Sequence, residues 1–206
     1  MALEQQIPRE FFQRQTLDVT RDLLGKRLVR VEEDGSRTAG LIIETEAYIG
    51  MEDLGCHASA GRTARNESMW GPPGHAYVYF IYGIHWMLNF VTEQEGFPAA
   101  VLLRSLEPVE GIDRIRNRRP GRPKTEWTNG PAKVCQALAI GSGFDGVDLC
   151  AAESPLFLEH GGVEIPESSV TTSSRVGLYS VEEPWKSIPW RFQVVKGFFA
   201  MERGSE

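Results

Sequence analysis

Residues 26–48 read KRLVRVEEDGSRTAGLIIETEAY, and this stretch decides the fold class. KRLVRVEE (26–33) is a β-prone run, and RTAGLIIETEAY (37–48) is a second one. Between them, Asp34-Gly35 is a strong hairpin signal, so the two strands are expected to pair antiparallel. Within LIIETEAY (41–48) the apolar, β-branched start has the character of a buried strand. Period two places Ile42, Glu44, Glu46 and Tyr48 on one face and Leu41, Ile43, Thr45 and Ala47 on the other. A core strand with two acids and a phenol on one face needs a reason.

Outward from the hairpin, residues 8–25 read as helix, with Leu17, Leu23 and Leu24 as its apolar stripe and Gly25 as its stop. Residues 50–73 form a long polar, glycine-rich loop, of a length that usually carries function. AYVYFIYGIHWMLNFV (76–91) is the most β-prone stretch, and Tyr82-Gly83 divides it into strands over 76–81 and 84–91. AAVLLRSLEP (99–108) is a further strand, and PVEGIDRIRNR (108–118) opens a helix. NGPAKVCQALAIG (129–141) is a helix with Asn129 as cap, Pro131 in its first turn and Gly141 beyond its end. Short strands follow, with WRFQVV (190–195) closing the sheet. No repeat or linker divides the chain. The expectation is one α+β domain over 1–206, a largely antiparallel sheet with surrounding helices, and ordinary frayed ends at 1–8 and 201–206.

The chain has 206 residues, 41% hydrophobic and 24% charged, ordinary values for a soluble globular protein. No apolar run approaches the roughly 20 residues of a membrane span. The start, MALEQQIPRE, has no basic region followed by an apolar one, so no signal peptide is visible and a cytoplasmic protein is expected. Cys56, Cys135 and Cys150 are odd in number and contain no C-x-x-C pair, which suits reduced thiols rather than a disulfide scaffold or structural zinc. The net charge of −6 argues mildly against a nucleic-acid partner. Yet Arg104, Arg114, Arg116, Arg118, Arg119, Arg122 and Lys124 crowd into 104–124, and acids dominate 145–183. A basic face on an acidic body and a solvated basic loop both fit this pattern.

Arg104 interrupts an apolar run. An unpaired buried charge is very costly, so it needs a carboxylate, and either Glu44 or Glu46 suits. A carboxylate so paired stays ionised and is a candidate general base; the alternative is a solvated strand end with both acids in water. Tyr48, His57, Tyr77, Tyr79, Tyr82, His85 and Trp86 make an aromatic-rich middle region, and sheet packing accounts for most of them. Tyr82 differs: beside glycine at a hairpin tip it is exposed, in the manner of a wedge into a base stack. His57, His75, His85 and His160 lack metal-ligand spacing, no P-loop or G-x-G-x-x-G opens a helix, and Cys56 has no identifiable base. No metal or cofactor is expected.

Taken together, LLGKRLVR, IIETEAYIGMEDLGCHASAGR, ARNESMWGPPGHAYVYFIYGIHWMLN, AVLLRSLEPVEG, NGPAKVCQALAI and RVG resemble the alkyladenine (3-methyladenine) DNA glycosylase family, in order from residue 23 to about 177. One departure is GRTARN (61–66), a residue shorter than the family's usual run. The resemblance implies a β-hairpin that enters the DNA minor groove and a monofunctional enzyme in which water cleaves the N-glycosidic bond of a flipped, damaged purine. It implies Glu46 as the water-activating carboxylate, with Arg104 and the Val176 carbonyl orienting the water. Tyr48, His57 and Tyr79 stand at the pocket walls. Tyr82 matches the residue that fills the hole in the duplex, and Asn89 the one that crowds a guanine amino group. Arg62, Arg65 and Lys133 stand where the DNA backbone passes, and Glu44 is structural or supports the same site. The implied partner is double-stranded DNA carrying an alkylated or deaminated purine, handled by a monomer without a cofactor, nucleoid-associated if bacterial. Two readings compete: a non-catalytic binder of damaged or single-stranded nucleic acid, and a glycosidase acting on free sugars or nucleosides. For the second, Glu44 and Glu46 would be paired acids, roughly 6.5–7 Å apart at the backbone.

Overall fold

In the computed structural model, which describes residues 6–199, β1 (Arg27–Val31) and β2 (Arg37–Ile49) pair antiparallel about the Asp34-Gly35 turn. Gly35 sits at φ 77°, a left-handed conformation natural to glycine. Six further strands complete one sheet: β3 (Ala76–Ile81), β4 (His85–Val91), β5 (Ala99–Glu110), β6 (Leu156–Glu159), β7 (Val170–Ser173) and β8 (Arg191–Val194). The order is β3-β4-β5-β2-β1-β6, every pairing is antiparallel, and β2 is the axis. One edge of β2 carries β5 along its length. The other carries β1 near its start and β8 at Glu44, Thr45 and Glu46. WRFQVV therefore does not close an outer edge: β8 lies between β2 and β7.

Strict alternation fails once on β2, and the failure shapes the site. Ile42 faces Leu106, Glu44 faces Ser105 and Thr45 faces Leu103, which leaves Ile43 over on β2 and Arg104 on β5. The bulge shifts the phase of the side chains. Ile42 joins the main core with Leu28, Leu103 and Leu106. Thr45 turns to the same side, where its hydroxyl donates to the Thr20 carbonyl at 2.9 Å. Glu44, Glu46 and Tyr48 keep a common face, but Ile42 leaves it.

The single helix expected over 8–25 is two: α1 (Arg9–Phe12) and α2 (Thr16–Asp22), with Gln15 extended between them. The break is stabilised from a distance. Glu93, in the loop after β4, accepts from the Thr16 amide and hydroxyl at 3.2 and 2.6 Å and so caps α2. The frayed start does not hold for 6–8 either. Ile7 is buried, its amide donates to the Leu158 carbonyl at 2.7 Å, and the Gln6 amide reaches Leu149. Residues 1–5 and 201–206 lie outside the described residues. α3 (Ile112–Arg118) starts after Gly111. α4 (Pro131–Ala137) is entered from Gly130, not capped by Asn129, and Ala139 at φ 50° turns the chain away before Gly141.

One core joins Phe12, Val19, Leu23, Val134 and Leu138 of the helices to Leu28, Leu88, Phe90, Val101 and Leu103 of the sheet. A smaller one lies beneath the 50–73 segment, where Cys56, Ala58 and Met69 pack on Tyr77, Val91 and Ala100. That long loop is thus folded onto the sheet, with 3-10 turns at His57–Ala60 and Glu67–Trp70. Among the described residues, no helix is long and apolar enough to cross a membrane.

Candidate active site

Directly opposed residues on antiparallel strands point to the same face. The register therefore draws one row across five strands: Tyr77 on β3, Asn89 on β4, Leu102 on β5, Glu46 on β2 and Arg191 on β8. A cavity of about 300 Å³ opens over this row. Tyr48, His57, Tyr79, Met87, Asn89, Arg104 and the Val176–Leu178 segment are among its walls.

Glu46 lies directly behind that wall, fully buried, and three groups that line the cavity hold it. The Val176 amide donates to Oε1 at 2.7 Å; the Tyr48 hydroxyl and Arg104 Nη1 donate to Oε2 at 2.9 and 3.2 Å. Arg104 does not choose between the two acids. Its Nε donates to Glu44 at 2.8 Å, and Glu44 is bound again by Arg191 at 2.7 Å. Burial raises the Glu46 carboxyl above the ordinary glutamate value, against the pull of Arg104, the Val176 amide and Tyr48. At Val176 the group that meets Glu46 is the amide; the contact involves no carbonyl.

Arg104 apart, the titratable groups of the wall are aromatic and uncharged. His57 Nδ1 lies 2.8 Å from the Tyr77 hydroxyl, and the ring stands edge-on to Tyr79 at 4.4 Å. Burial, with help from the Arg65 charge, lowers His57 to about 4, so it is uncharged at neutral pH. Burial pushes Tyr79 up to about 12 and Tyr48 well above a free phenol, Glu46 adding to the second. Asn89 is fixed by its own donation to the Tyr77 carbonyl at 3.0 Å. Cys56, pushed by burial to about 12, is a packed, protonated thiol.

β3 and β4 form a hairpin whose tip, Tyr82-Gly83, leaves Tyr82 83% exposed and Ile84 69% exposed. Below the tip, Phe80 and Trp86 stack at 4.6 Å. Arg65 lies at the same rim, 5.5 Å from the Tyr79 ring and in reach of the Phe80 carbonyl. Arg62 is occupied by Glu67 at 2.5 Å, and Lys133 by the Asn129 side chain at 2.7 Å. Much of the arginine-rich segment is engaged within the fold, while Arg122 and Lys124 are exposed. Arg104 is in the site, Arg118 grips Glu32, Arg116 pairs with Asp113, and Arg114 with Asp34.

Sequence reasoning assigned nothing to Asp53 and Arg175. Both are fully buried and paired bidentately, with the Arg175 guanidinium 4.6 Å from the Tyr48 ring centre. The signal available was RVG among the matched strings, which contains Arg175 beside Val176.

The sequence profile described as methylpurine-DNA glycosylase (MPG) matches residues 10–197. The chain belongs to that family. It is a DNA N-glycosylase of alkylated bases, and DNA is its substrate. Relatives include a protein of Methanocella arvoryzae, 48% identical over 188 residues, 90% of each chain. Another, from Chlorobaculum parvum, is 48% identical over 178 residues, covering 86% of this chain and 84% of its own. A third, from Carboxydothermus hydrogenoformans, is 45% identical over 186 residues, 90% of this chain and 93% of its own. Each bears the name "Putative 3-methyladenine DNA glycosylase". In this glycosylase the string ETEAY contributes both the buried acid and the phenol that donates to it.

Proposed function

We propose that the protein extrudes an alkylated purine from duplex DNA into the Tyr48–His57–Tyr79 cavity and hydrolyses its N-glycosidic bond with a water activated by Glu46. The observation that carries this reading is the Glu46 carboxylate, buried behind the cavity wall with a raised pKa and hydrogen bonds to both oxygens. Oε1 has one protein partner and can accept a second hydrogen bond, from water. The water oxygen bonds to the sugar carbon, its proton passes to Glu46, and the carbon–nitrogen bonding pair leaves with the base. Arg104 and the Val176 carbonyl orient that water. Charge developing on the sugar is offset by the same carboxylate. An alkylated purine is cationic, so aromatic walls favour it and its departure needs no proton. Tyr82 fills the vacated place in the stack, and Asn89 discriminates against a guanine amino group. Deaminated purines are accepted as slower substrates.

Glu44 speaks against the free-sugar glycosidase. It is held by Arg104, Arg191 and Gln193 and has no freedom to serve as the second acid. A non-catalytic binder has no use for the buried acid. The test is release of 3-methyladenine from methylated duplex DNA. Glu46→Gln is expected to lose about 10²- to 10⁴-fold in rate while keeping lesion binding. A variant within about threefold of wild type, against that range, removes Glu46 from the mechanism.

A further inference from the structure

Asp53 and Arg175 touch no atom of the proposed reaction, yet they form the most enclosed charge pair near the site. Both side chains have no exposed surface. Arg175 Nη1 and Nη2 donate to the two Asp53 oxygens at 2.5 and 2.7 Å. Asp53 also accepts from the Ile49 and Gly55 amides at 3.2 and 2.9 Å. Arg175 donates further to the Ala47 carbonyl at 2.9 Å and the Trp185 carbonyl at 3.2 Å. Its guanidinium lies 4.6 Å from the Tyr48 ring centre and 5.2 Å from that of Trp190. One ion pair therefore ties the end of β2 to two separate loops. A buried pair of this kind is weak evidence for stability, since apolar replacements are often neutral or better. What distinguishes this pair is where its contacts lead. Tyr48, under the guanidinium, donates to Glu46 Oε2, and Val176, the next residue in the chain, donates to Oε1.

We propose that Asp53 and Arg175 are positioning residues for the Glu46 carboxylate: turned inward onto Asp53, Arg175 aims the Val176 amide at Oε1 and braces the Tyr48 ring so that its hydroxyl meets Oε2. The inference rests on the reading of Glu46 as the base. The groups facing Glu46 are Glu44 and Tyr48 from β2, Arg104 from β5, Arg191 from β8, Tyr79 from β3, and the Asp53–Arg175 pair from the loops. Arg104 is anchored by Glu44, away from the pair. Loss of the pair thus removes two hydrogen bonds that favour ionised Glu46 and leaves its ionic partner in place. Glu46 then holds its proton to a higher pH, and the acid limb of the rate profile moves upward.

The experiment is single-turnover release of 3-methyladenine from methylated duplex DNA across pH, on the full chain. Arg175→Lys keeps the charge and loses the fork. Gly55→Ala keeps both charges, but its Cβ would stand 2.8 Å from Arg175 Nη2 and 2.6 Å from Leu178 Cδ1 and so crowds the guanidinium; because Gly55 and Leu178 also line the cavity, the acid limb and not the plateau is the deciding readout for this variant. Each is expected to lower the plateau rate about 10- to 100-fold and to shift the acid limb to higher pH, with duplex affinity nearly unchanged. Adding Tyr48→Phe to Gly55→Ala should cost less than the sum of the two, because both act on one hydrogen bond. A thermal melt reports the folded fraction. If Arg175→Lys does not fold, Gly55→Ala decides. Folded variants with the wild-type limb and plateau overturn the positioning role. Retained release by Glu46→Gln instead overturns the base itself, a result distinguishable from the first.

Discussion

A neutral histidine and three tyrosines that hold their protons line the cavity, and under the proposed mechanism they set which bases it can release. Burial lowers His57 to about 4 and pushes Tyr79 up to about 12. Burial raises Tyr48 and Tyr77 as well. None of these four is poised to give up a proton at pH 7, and in the proposed mechanism Glu46 receives one. A 3-methyladenine departs as a neutral molecule because its positive charge cancels on bond cleavage. Hypoxanthine departs as an anion unless it is protonated first. General-acid help is typically worth about 10²- to 10⁴-fold, so 3-methyladenine release at pH 7 should exceed hypoxanthine release by a factor of that order. Both are measured in single turnover on duplex DNA. Equal rates would require a proton donor that these side chains do not provide, and the account of the cavity as acid-free would be wrong.

The β3–β4 hairpin shows what an element gives up to present one side chain. Its turn places Tyr82 at φ 55° and Gly83 at φ 70°. The Ile84 amide donates to the Ile81 carbonyl at 3.2 Å, and both central residues of this turn are left-handed, the type I′ geometry for which Asn-Gly is the preferred pair. A tyrosine there costs roughly 1–2 kcal/mol in backbone strain, and at 83% exposure it recovers little by packing. Tyr82→Asn should therefore hold or raise the thermal midpoint. It should also weaken binding to a lesion-bearing duplex by about 5- to 150-fold, the loss of roughly 1–3 kcal/mol of stacking. A lower midpoint with unchanged lesion binding would make Tyr82 a structural residue. The hairpin itself was legible: the expected strands end within a residue of the observed ones, because alternation and Tyr82-Gly83 are local signals. The bulge at Ile43 and the break between α1 and α2 were not. The first answers to pairing with Ser105 and Leu103, the second to capping by Glu93, and both partners are far off in the sequence.

Across the whole molecule, distance in sequence separates what could be read from what could not. Glu46 and Arg104 announced themselves as charges inside apolar runs. Asp53 did not, because it sits in a polar loop where an acid looks solvated, and its partner Arg175 is 122 residues away. The basic segment is divided in the fold: Arg104 lies in the cavity wall, Glu32, Asp34 and Asp113 pair Arg118, Arg114 and Arg116, and Arg122 and Lys124 are exposed. At the hairpin rim this chain, of net charge −6, offers DNA few cations. Arg65 at the cavity rim is exposed, and Arg62 and Lys133 are engaged only by neighbouring side chains. An exposed pair such as Arg62–Glu67 is weak and yields readily to a phosphate. With three such contacts, the logarithm of the binding constant should fall with the logarithm of salt at a slope of about −2.7. Arg65→Ala should reduce that slope by about 1, whatever the lesion. Glu67→Gln frees Arg62 and should strengthen binding to undamaged duplex at low salt. Arg116→Ala, on α3, should leave the slope where it is. If Arg116→Ala flattens the slope and Arg65→Ala does not, the duplex lies along α3, and the hairpin rim is not the DNA face.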